Sequence, residues 1–273
     1  MMGLNKNAIR MLTGLILATI AMLCIIYGGL ALLILIAAII YLGTKEYVKI
    51  LEYKGFFPSI KVMFAAEIYL AAIAYFQRFD LVAIALTLCT MGAFMWILFR
   101  GKQPYIANVA TTILGFVYGG WFPLHLLFLR DLHSAKYHDG LGFVIMMFIA
   151  ILLTDVGAYY AGKHLGKHKL APVISPNKTV EGAIGGAICA VIGAFVIGWH
   201  LGLEWYLSIA AGLLCTAAAQ LGDLAESLIK RDAGVKDSGD LLPGHGGFLD
   251  RTDSFIFTIP VMYYFCKYFI FHG

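Results

Sequence analysis

Long apolar stretches joined by short polar connections run through the whole sequence, and they determine the solvent in which this chain can fold. A helix needs about 20 apolar residues to cross the roughly 30 Å hydrocarbon core of a bilayer. Hydrophobic residues make up 61% of the chain and charged residues 13%, whereas soluble domains carry about 25% charged residues. The composition therefore predicts an integral membrane protein. It excludes a disordered chain, a disulfide scaffold and a nucleic-acid-binding domain.

The apolar stretches predict an all-α fold, a polytopic transmembrane helical bundle of about nine helices. They lie near 10–27, 29–44, 58–76, 81–99, 105–129, 141–162, 182–202, 205–228 and 255–271. The run 12–42 is too long for one crossing, and Tyr27-Gly28-Gly29 in its middle predicts a tight turn between two helices. The five cysteines lie far apart in apolar runs, which predicts packing residues rather than disulfides or a zinc site.

The lysines and arginines of the connections predict the orientation, because cytoplasmic connections of membrane proteins are enriched in these residues. With the N-terminus in the cytoplasm, 16 of the 20 basic residues fall in cytoplasmic connections. We therefore predict a multi-pass protein of the cytoplasmic membrane with a cytoplasmic N-terminus. Two polar segments, 155–186 and 220–253, then both lie on the cytoplasmic side.

Carboxylates crowd into the second polar segment, where seven of the 16 acidic residues lie between positions 223 and 253. Four polar side chains at helical spacing share one helix face: Asp223, Glu226, Ser227 and Lys230. Asp250 and Asp253 are likewise three residues apart. Because Mg²⁺ prefers carboxylate oxygens, Asp223, Asp250 and Asp253 are candidate ligands of a divalent metal ion. A structural cluster of ion pairs explains the spacing equally well.

Basic residues and glycines accompany these acids and indicate a ligand that contains phosphate. The basic residues of the two segments are Lys163, Lys167, Lys169, Lys178, Lys230, Arg231, Lys236 and Arg251. Gly244, Gly246 and Gly247 allow a ligand to approach the backbone closely, and residues 175–178 predict a turn that presents a lysine. The mixture suits a polyphosphate–metal complex, although a patch for lipid headgroups is an alternative. His245 is a candidate phosphate or ribose contact.

A stripe of small residues follows the first polar segment. Every fourth residue is small, at Gly182, Gly186, Ala190, Ala194 and Gly198. In lipid such a stripe allows helices to approach closely. We predict close packing there, either within the bundle or between two copies of the chain.

The two polar segments resemble the phosphatidate cytidylyltransferase (CDP-diacylglycerol synthase) family. Residues 227–253 follow the family signature without departure, in Ser227, Lys230-Arg231, Lys236-Asp237, Pro243-Gly244-His245-Gly246-Gly247 and Asp250-Arg251-Thr252-Asp253. The earlier Ser175-Pro176-Asn177-Lys178-Thr179 with Glu181-Gly182, and Asp155 with Gly157-Ala158-Tyr159, are similar to it as well. The resemblance covers about 155–255. In the N-terminal half it is limited to length and hydropathy.

This resemblance implies an enzyme that transfers the cytidylyl group of CTP to phosphatidate and releases pyrophosphate. It also implies Mg²⁺, compatible with a second, monovalent cation, and a homodimer in the membrane. The implied catalytic residues are Asp223, Lys230, Arg231, Lys236, Asp237, His245, Asp250, Arg251 and Asp253, with Asp223, Asp250 and Asp253 as metal ligands. The implied substrate contacts are Ser175, Asn177, Lys178, Thr179, Glu181, Ser227, Gly246 and Gly247. The chain then divides into N-terminal membrane helices, 1–140, and a catalytic region, 141–273.

Two other functions compete with this interpretation. A CTP-dependent polyprenol or phytol kinase of the wider superfamily would phosphorylate a lipid alcohol, but the uninterrupted signature favours cytidylyl transfer. A cation transporter would use intramembrane acids as an ion path. Transporters often show two related halves, which this sequence lacks, and its acids cluster toward one membrane face.

Overall fold

The structure of the chain, a computed structural model, is 80% helical. It describes residues 6–134, 136, 139–239 and 246–271, except for the side chains of residues 6–13 and 17. The described residues form nine helices when α5 (Tyr105–Gly115) and α6 (Phe122–Arg130), which are continuous, are counted as one. This confirms the predicted all-α fold of about nine helices.

The helices follow one another with short connections. They are α1 (Lys6–Tyr27), α2 (Gly29–Tyr53), α3 (Ile60–Tyr75), α4 (Val82–Arg100), α5 (Tyr105–Gly115), α6 (Phe122–Arg130), α7 (Leu141–Leu165), α8 (Val180–His200), α9 (Trp205–Asp232) and α10 (Leu249–Phe265). A π-helical stretch, Phe116–Trp121, joins α5 and α6 into one continuous helix. A second π-helical stretch, Cys266–Ile270, extends α10, and a 3₁₀ turn, Phe79–Leu81, precedes α4.

Six of the helices are long and apolar enough to cross a membrane. These are α2, α4 with its preceding turn, the continuous helix Tyr105–Arg130, α7, α8 and α9. Large apolar side chains on them are exposed, including Phe99 at 72% and Ile106 at 88%. Exposure of this kind suits a surface that faces lipid rather than water. The chain is therefore a multi-pass membrane protein.

The turn predicted near residue 28 is confirmed. Gly28 and Gly29 have φ angles of 66° and 49°, which is backbone space that glycine enters without a steric penalty. Gly28 donates its N–H to the carbonyl of Cys24 at 2.9 Å. The chain thus ends α1 and begins α2 within two residues, and the apolar run 12–42 forms two helices.

The chain divides into two compact units. The first unit comprises Met1–Leu127 and Asp232–Arg251, and the second comprises Phe128–Arg231 and Thr252–Gly273. The predicted catalytic region, 141–273, therefore contributes residues to both units. In the first unit, α2, α3 and α5 enclose the core residues Tyr47, Met63 and Phe116.

In the second unit, α7 and α8 pack closely along the small-residue stripe. A Cβ atom added at Gly182 would lie 2.9 Å from the carbonyl oxygen of Ala158, and one added at Gly186 would lie 2.7 Å from that of Thr154. Only glycine allows the two backbones to approach this closely. The predicted close packing is confirmed, and at these positions it occurs within the chain.

A small β-hairpin between α7 and α8 departs from the all-α pattern. Strands β1 (Lys169–Ala171) and β2 (Ser175–Thr179) pair in antiparallel fashion. The turn predicted at residues 175–178 is wrong, because these residues form β2 and the turn lies at 172–174. Pro176 is compatible with the strand, since every strand of a two-stranded sheet is an edge strand and edge strands tolerate proline.

Candidate functional site

A cavity of about 490 Å³ lies within the second unit. Residues of α7, the β-hairpin, α8, α9 and α10 line it. Five predicted site residues are part of this lining: Ser175, Asn177, Lys178, Thr179 and Asp223. The structure thus brings the first polar segment together with the start of the second.

An ion pair between Lys178 and Asp223 lies at this cavity. The Lys178 Nζ atom on β2 is 2.5 Å from Oδ2 of Asp223 on α9. The two side chains are 25% and 33% exposed, so a ligand in the cavity can reach both. Ser227, one turn further along α9, donates its hydroxyl to Oδ1 of Asp223 at 3.4 Å. A base and an acid therefore meet where the sequence suggested a phosphate and metal site.

Two more carboxylates belong to this cluster. Asp155 on α7 and Asp253 on α10 each interact electrostatically with Asp223 and with Lys178. Asp155 lines the cavity together with Lys163, a second ammonium group besides Lys178. The local excess of negative charge favours binding of a cation.

Glycine at position 222 allows α9 and α10 to meet beside these carboxylates. A Cβ atom on Gly222 would lie 2.6 Å from the carbonyl oxygen of Asp253 and 3.2 Å from Cβ of Phe257. No larger residue fits without moving one helix. Gly222 therefore sets the approach of the helix that carries Asp253 to the helix that carries Asp223.

The carboxylates of Asp223 and Asp253 fit a Mg²⁺ ion. Both offer hard oxygen donors, and the lysine on Asp223 shows that this position stabilises positive charge. Among the residues that the structure describes, no three His, Cys, Asp or Glu side chains are grouped so as to hold a metal by themselves. Mg²⁺ commonly uses one or two carboxylates and completes its shell with water and substrate phosphates. The metal roles of Asp223, Asp250 and Asp253 remain predictions.

Lys230, predicted to bind phosphate, is paired with a neighbouring acid. Its Nζ lies 2.5 Å from Oε2 of Glu226, one turn earlier on α9, and Glu226 is fully buried. The contact of Lys230 with Glu226 and the contact of Ser227 with Asp223 confirm that these four polar side chains share one face of α9. Lys230 also interacts electrostatically with Asp253, so it contributes positive charge near the cavity.

Glu181 and Arg231 hold the β-hairpin in place. The Glu181 carboxylate accepts the backbone N–H of Lys167 at 3.0 Å and lies 2.6 Å from Nδ1 of His168. Arg231 donates its Nε–H to the carbonyl of Ile174 at 3.3 Å. The side chain of Thr179 accepts the N–H of Gly182 and caps α8. All three were predicted as site residues; Glu181 contacts the residues just before the hairpin, Arg231 contacts the hairpin turn, and Thr179 contacts the start of α8.

The remaining predicted residues belong to the first unit, except for His245, which lies outside the described residues. In the first unit Oδ2 of Asp250 accepts the backbone N–H of Ser238 at 3.0 Å, and the Ser238 hydroxyl lies 3.0 Å from the same oxygen. Gly247 has no room for a Cβ atom beside Ser238 and Asp250, and Gly246 has a φ of 81°. The exposed members of this group are Lys236, Asp237 and Arg251.

Sequence reasoning missed two residues near these groups. Gln220 lines the cavity and donates to the carbonyl of Ala183 at 3.1 Å. Glu46 on α2, in the N-terminal half, is 3% exposed and binds the start of α10 in the first unit. A polar residue inside an apolar stretch is the signal that identifies Gln220, whereas Glu46 lies between Lys45 and Lys49, after the apolar stretch 29–44, and has no such signal.

Comparison with known proteins identifies the family. A model described as "Cytidylyltransferase family" matches residues 8–269. A protein of Synechocystis sp. named phosphatidate cytidylyltransferase is 36% identical, covering 94% of this chain and 95% of its own length. A protein of the same name from Staphylococcus haemolyticus is 34% identical, covering 93% and 96%. One from Staphylococcus aureus is 50% identical over 126 residues, which cover 45% of this chain and 48% of that protein.

The family match spans nearly the whole chain. It includes the apolar N-terminal half, in which the sequence shows no motif of the family. Two relatives above 30% identity align over almost their full length as well. Together with the acid–base cavity, these matches show that the chain belongs to the cytidylyltransferase family.

Proposed function

We propose that this chain is a phosphatidate cytidylyltransferase, which converts CTP and phosphatidate into CDP-diacylglycerol and pyrophosphate. The observation that carries the proposal is the cavity of the second unit, where Lys178 pairs with Asp223 beside Asp155 and Asp253. The full-length relatives with this name support the assignment.

The reaction suits a cavity of acids and bases without a nucleophile–histidine pair. A phosphomonoester has a second pKa of about 6, so the attacking oxygen of phosphatidate is already ionised at neutral pH and needs no general base. The described residues that line the cavity include no histidine and no cysteine. The site must then bring two polyanions, CTP and phosphatidate, together and stabilise the leaving pyrophosphate. Both tasks depend on the position and charge of the groups that line the site.

Two lysines of the cavity carry the positive charge that binding of phosphate groups requires. Lys178 and Lys163 both line the cavity and offer ammonium donors to phosphate oxygens. When phosphate arrives, Lys178 exchanges part of its contact with Asp223 for a contact with the substrate. Asp223 and Asp253 are the side chains that would hold Mg²⁺. When bound, the ion supplies positive charge to the phosphates and to the leaving group.

The cavity faces the cytoplasm and takes its lipid substrate from the inner leaflet in this proposal. The bias of basic residues toward one set of connections supports that orientation, and CTP is a cytosolic nucleotide. The exposed side chain of Tyr159 and the apolar Leu170 line the cavity, which suits entry of a lipid from the side. We place the protein in the cytoplasmic membrane as a homodimer. Its mass in detergent, measured by light scattering, tests the dimer.

Labelled CTP tests the reaction directly. Purified protein with phosphatidate and Mg²⁺ should transfer label from the α-phosphate of CTP into lipid and release label from the γ-phosphate as pyrophosphate. A lipid kinase would give the opposite pattern, with only γ-label in lipid. Transfer of γ-label, or no transfer of either label, would refute the proposal.

A further inference from the structure

A carboxylate of the N-terminal half holds the start of α10. Glu46 lies on α2 and is 3% exposed. Its Oε1 atom accepts the backbone N–H of Phe248 at 2.8 Å, and its Oε2 atom accepts that of Leu249 at 2.7 Å. The first N–H groups of a helix have no partner within the helix, and a negative charge at this end also interacts favourably with the helix dipole.

The same carboxylate also holds the segment on the other side of residues 240–245. The Ser238 hydroxyl lies 3.0 Å from Oε2 of Glu46. Gly239 packs so closely that an added Cβ atom would lie 2.9 Å from Oε1. Leu249, 1% exposed, packs against Gly43 one turn before Glu46. One side chain of α2 thus contacts the chain on both sides of residues 240–245.

Ser238 connects Glu46 to Asp250. The serine hydroxyl lies 3.0 Å from Oε2 of Glu46 and 3.0 Å from Oδ2 of Asp250. A hydroxyl has one proton to donate, so it serves one of these carboxylates at a time. When the hydroxyl donates to Glu46, the backbone N–H of Ser238 still holds Asp250. Glu46, Ser238 and Asp250 therefore form one connected set of hydrogen bonds, in which Glu46 competes with Asp250 for the Ser238 hydroxyl.

We propose that Glu46 is a positioning residue for the reaction, which orients the first turn of α10 and Asp250, a predicted metal ligand. The inference rests on the proposed function and extends it to the N-terminal half of the chain. It gives α2 a role in activity besides crossing the membrane. Partners that orient metal ligands commonly contribute about 10- to 100-fold to metal affinity or activity.

Metal binding without turnover tests this role. Mn²⁺ shares the preference of Mg²⁺ for carboxylate ligands and is detected by electron paramagnetic resonance. We expect Glu46→Gln and Glu46→Ala to weaken binding of Mn²⁺ alone by about 10-fold or more, with the larger loss in the alanine variant, because glutamine keeps one acceptor oxygen. Amide hydrogens of Phe248 and Leu249 should exchange faster in both variants.

Glu67→Gln is the matched control. Glu67 belongs to the same unit, is also 3% exposed, and accepts a hydrogen bond from Thr44. Its variant should bind Mn²⁺ within twofold of the wild type. A Glu67→Gln variant that loses Mn²⁺ binding as strongly as Glu46→Gln would overturn the inference, because the effect would then follow any buried glutamate.

Gly239→Ala tests the same contact if Glu46 variants do not fold. Its Cβ atom would displace the segment from the Glu46 carboxylate and should reproduce the loss of Mn²⁺ binding. Gly92→Ala, in open space on α4, should not. Wild-type Mn²⁺ affinity in Glu46→Ala would overturn the inference. If Glu46→Ala does not fold, wild-type Mn²⁺ affinity in Gly239→Ala would overturn it. In either case, turnover of CTP by the wild-type protein would still uphold the proposed function. Absence of turnover in the wild type would refute the proposed function instead.

Discussion

The Nζ atom of Lys178 lies 2.5 Å from Oδ2 of Asp223, and this pair joins the β-hairpin to α9 at the wall of the cavity. The two residues are 45 positions apart in the chain. Because both side chains keep partial exposure, the pair is accessible to ligands. A lysine ammonium that neutralises a carboxylate in the free protein is available to phosphate when substrate and metal arrive.

Removal of the Lys178 ammonium group should reduce turnover. Lys178→Ala deprives the cavity of positive charge beside three carboxylates, and we expect kcat/KM for CTP to fall by about 100-fold. Lys169→Ala is the control, because Lys169 is an exposed residue of the same hairpin outside the cavity lining. Equal activity of both variants in a steady-state assay would show that Lys178 is not a substrate contact.

A single methyl group at position 222 should disturb the site. Gly222→Ala places a Cβ atom against the backbone of Asp253, and overpacking of this kind typically destabilises a protein by about 1–3 kcal/mol. We expect a lower Tm in detergent and reduced activity of the folded fraction. Gly92→Ala adds the same methyl group to α4 in open space and should leave both quantities unchanged. If Gly222→Ala behaves like Gly92→Ala, the close approach of α9 and α10 has no role in activity.

Loss of the Glu181 carboxylate should act through the β-hairpin. Glu181→Ala removes the acceptor of the Lys167 N–H and the partner of the His168 ring, so β2 and Lys178 lose part of their support. A displacement of about 1 Å near a reacting group can reduce a rate by about 100-fold. We expect a marked loss of kcat/KM that Glu181→Gln partly restores, because glutamine keeps an acceptor oxygen. Equal loss in both variants would instead indicate that the charge of Glu181 itself acts on the substrate.

Metal removal should abolish activity reversibly. Excess chelator should stop cytidylyl transfer, and Mg²⁺ should restore it, because the phosphates and the carboxylates of Asp223 and Asp253 repel one another without a cation. Asp253→Asn should raise the Mg²⁺ concentration for half-maximal activity by at least about 10-fold. Full activity in chelator, or an unchanged Mg²⁺ requirement in Asp253→Asn, would contradict the metal assignment.

The number of helices and the turn at Gly28 were predictable because hydropathy and helix length are local properties of the sequence. The shared face of Asp223, Ser227 and Lys230 followed in the same way from helical periodicity. The β-hairpin was not predictable. Its strands pair with each other, and Glu181 contacts the residues just before β1, 13 and 14 positions earlier; no local pattern encodes these contacts.

Contacts distant in sequence limited prediction of the site itself. Glu46 meets Leu249 across 203 positions, and no motif marks Glu46 in the apolar sequence of α2. Residue types with the right chemistry were recognisable from their spacing and from the family resemblance. The partner that each one contacts, such as Glu226 for Lys230, became visible only when helices and hairpin were in place.

Cytidylyl transfer by Asp223→Asn compared with Asp232→Asn tests the central claim most directly. Both substitutions remove one carboxylate charge from α9, but Asp223 lines the cavity, whereas Asp232 forms an exposed ion pair with Lys54. Exposed ion pairs contribute little to the stability of a protein. With CTP labelled at the α-phosphate, Asp223→Asn should form labelled lipid at least about 100-fold more slowly than wild type, and Asp232→Asn within about twofold of it. Near-normal transfer by folded Asp223→Asn would show that the reaction does not take place in this cavity.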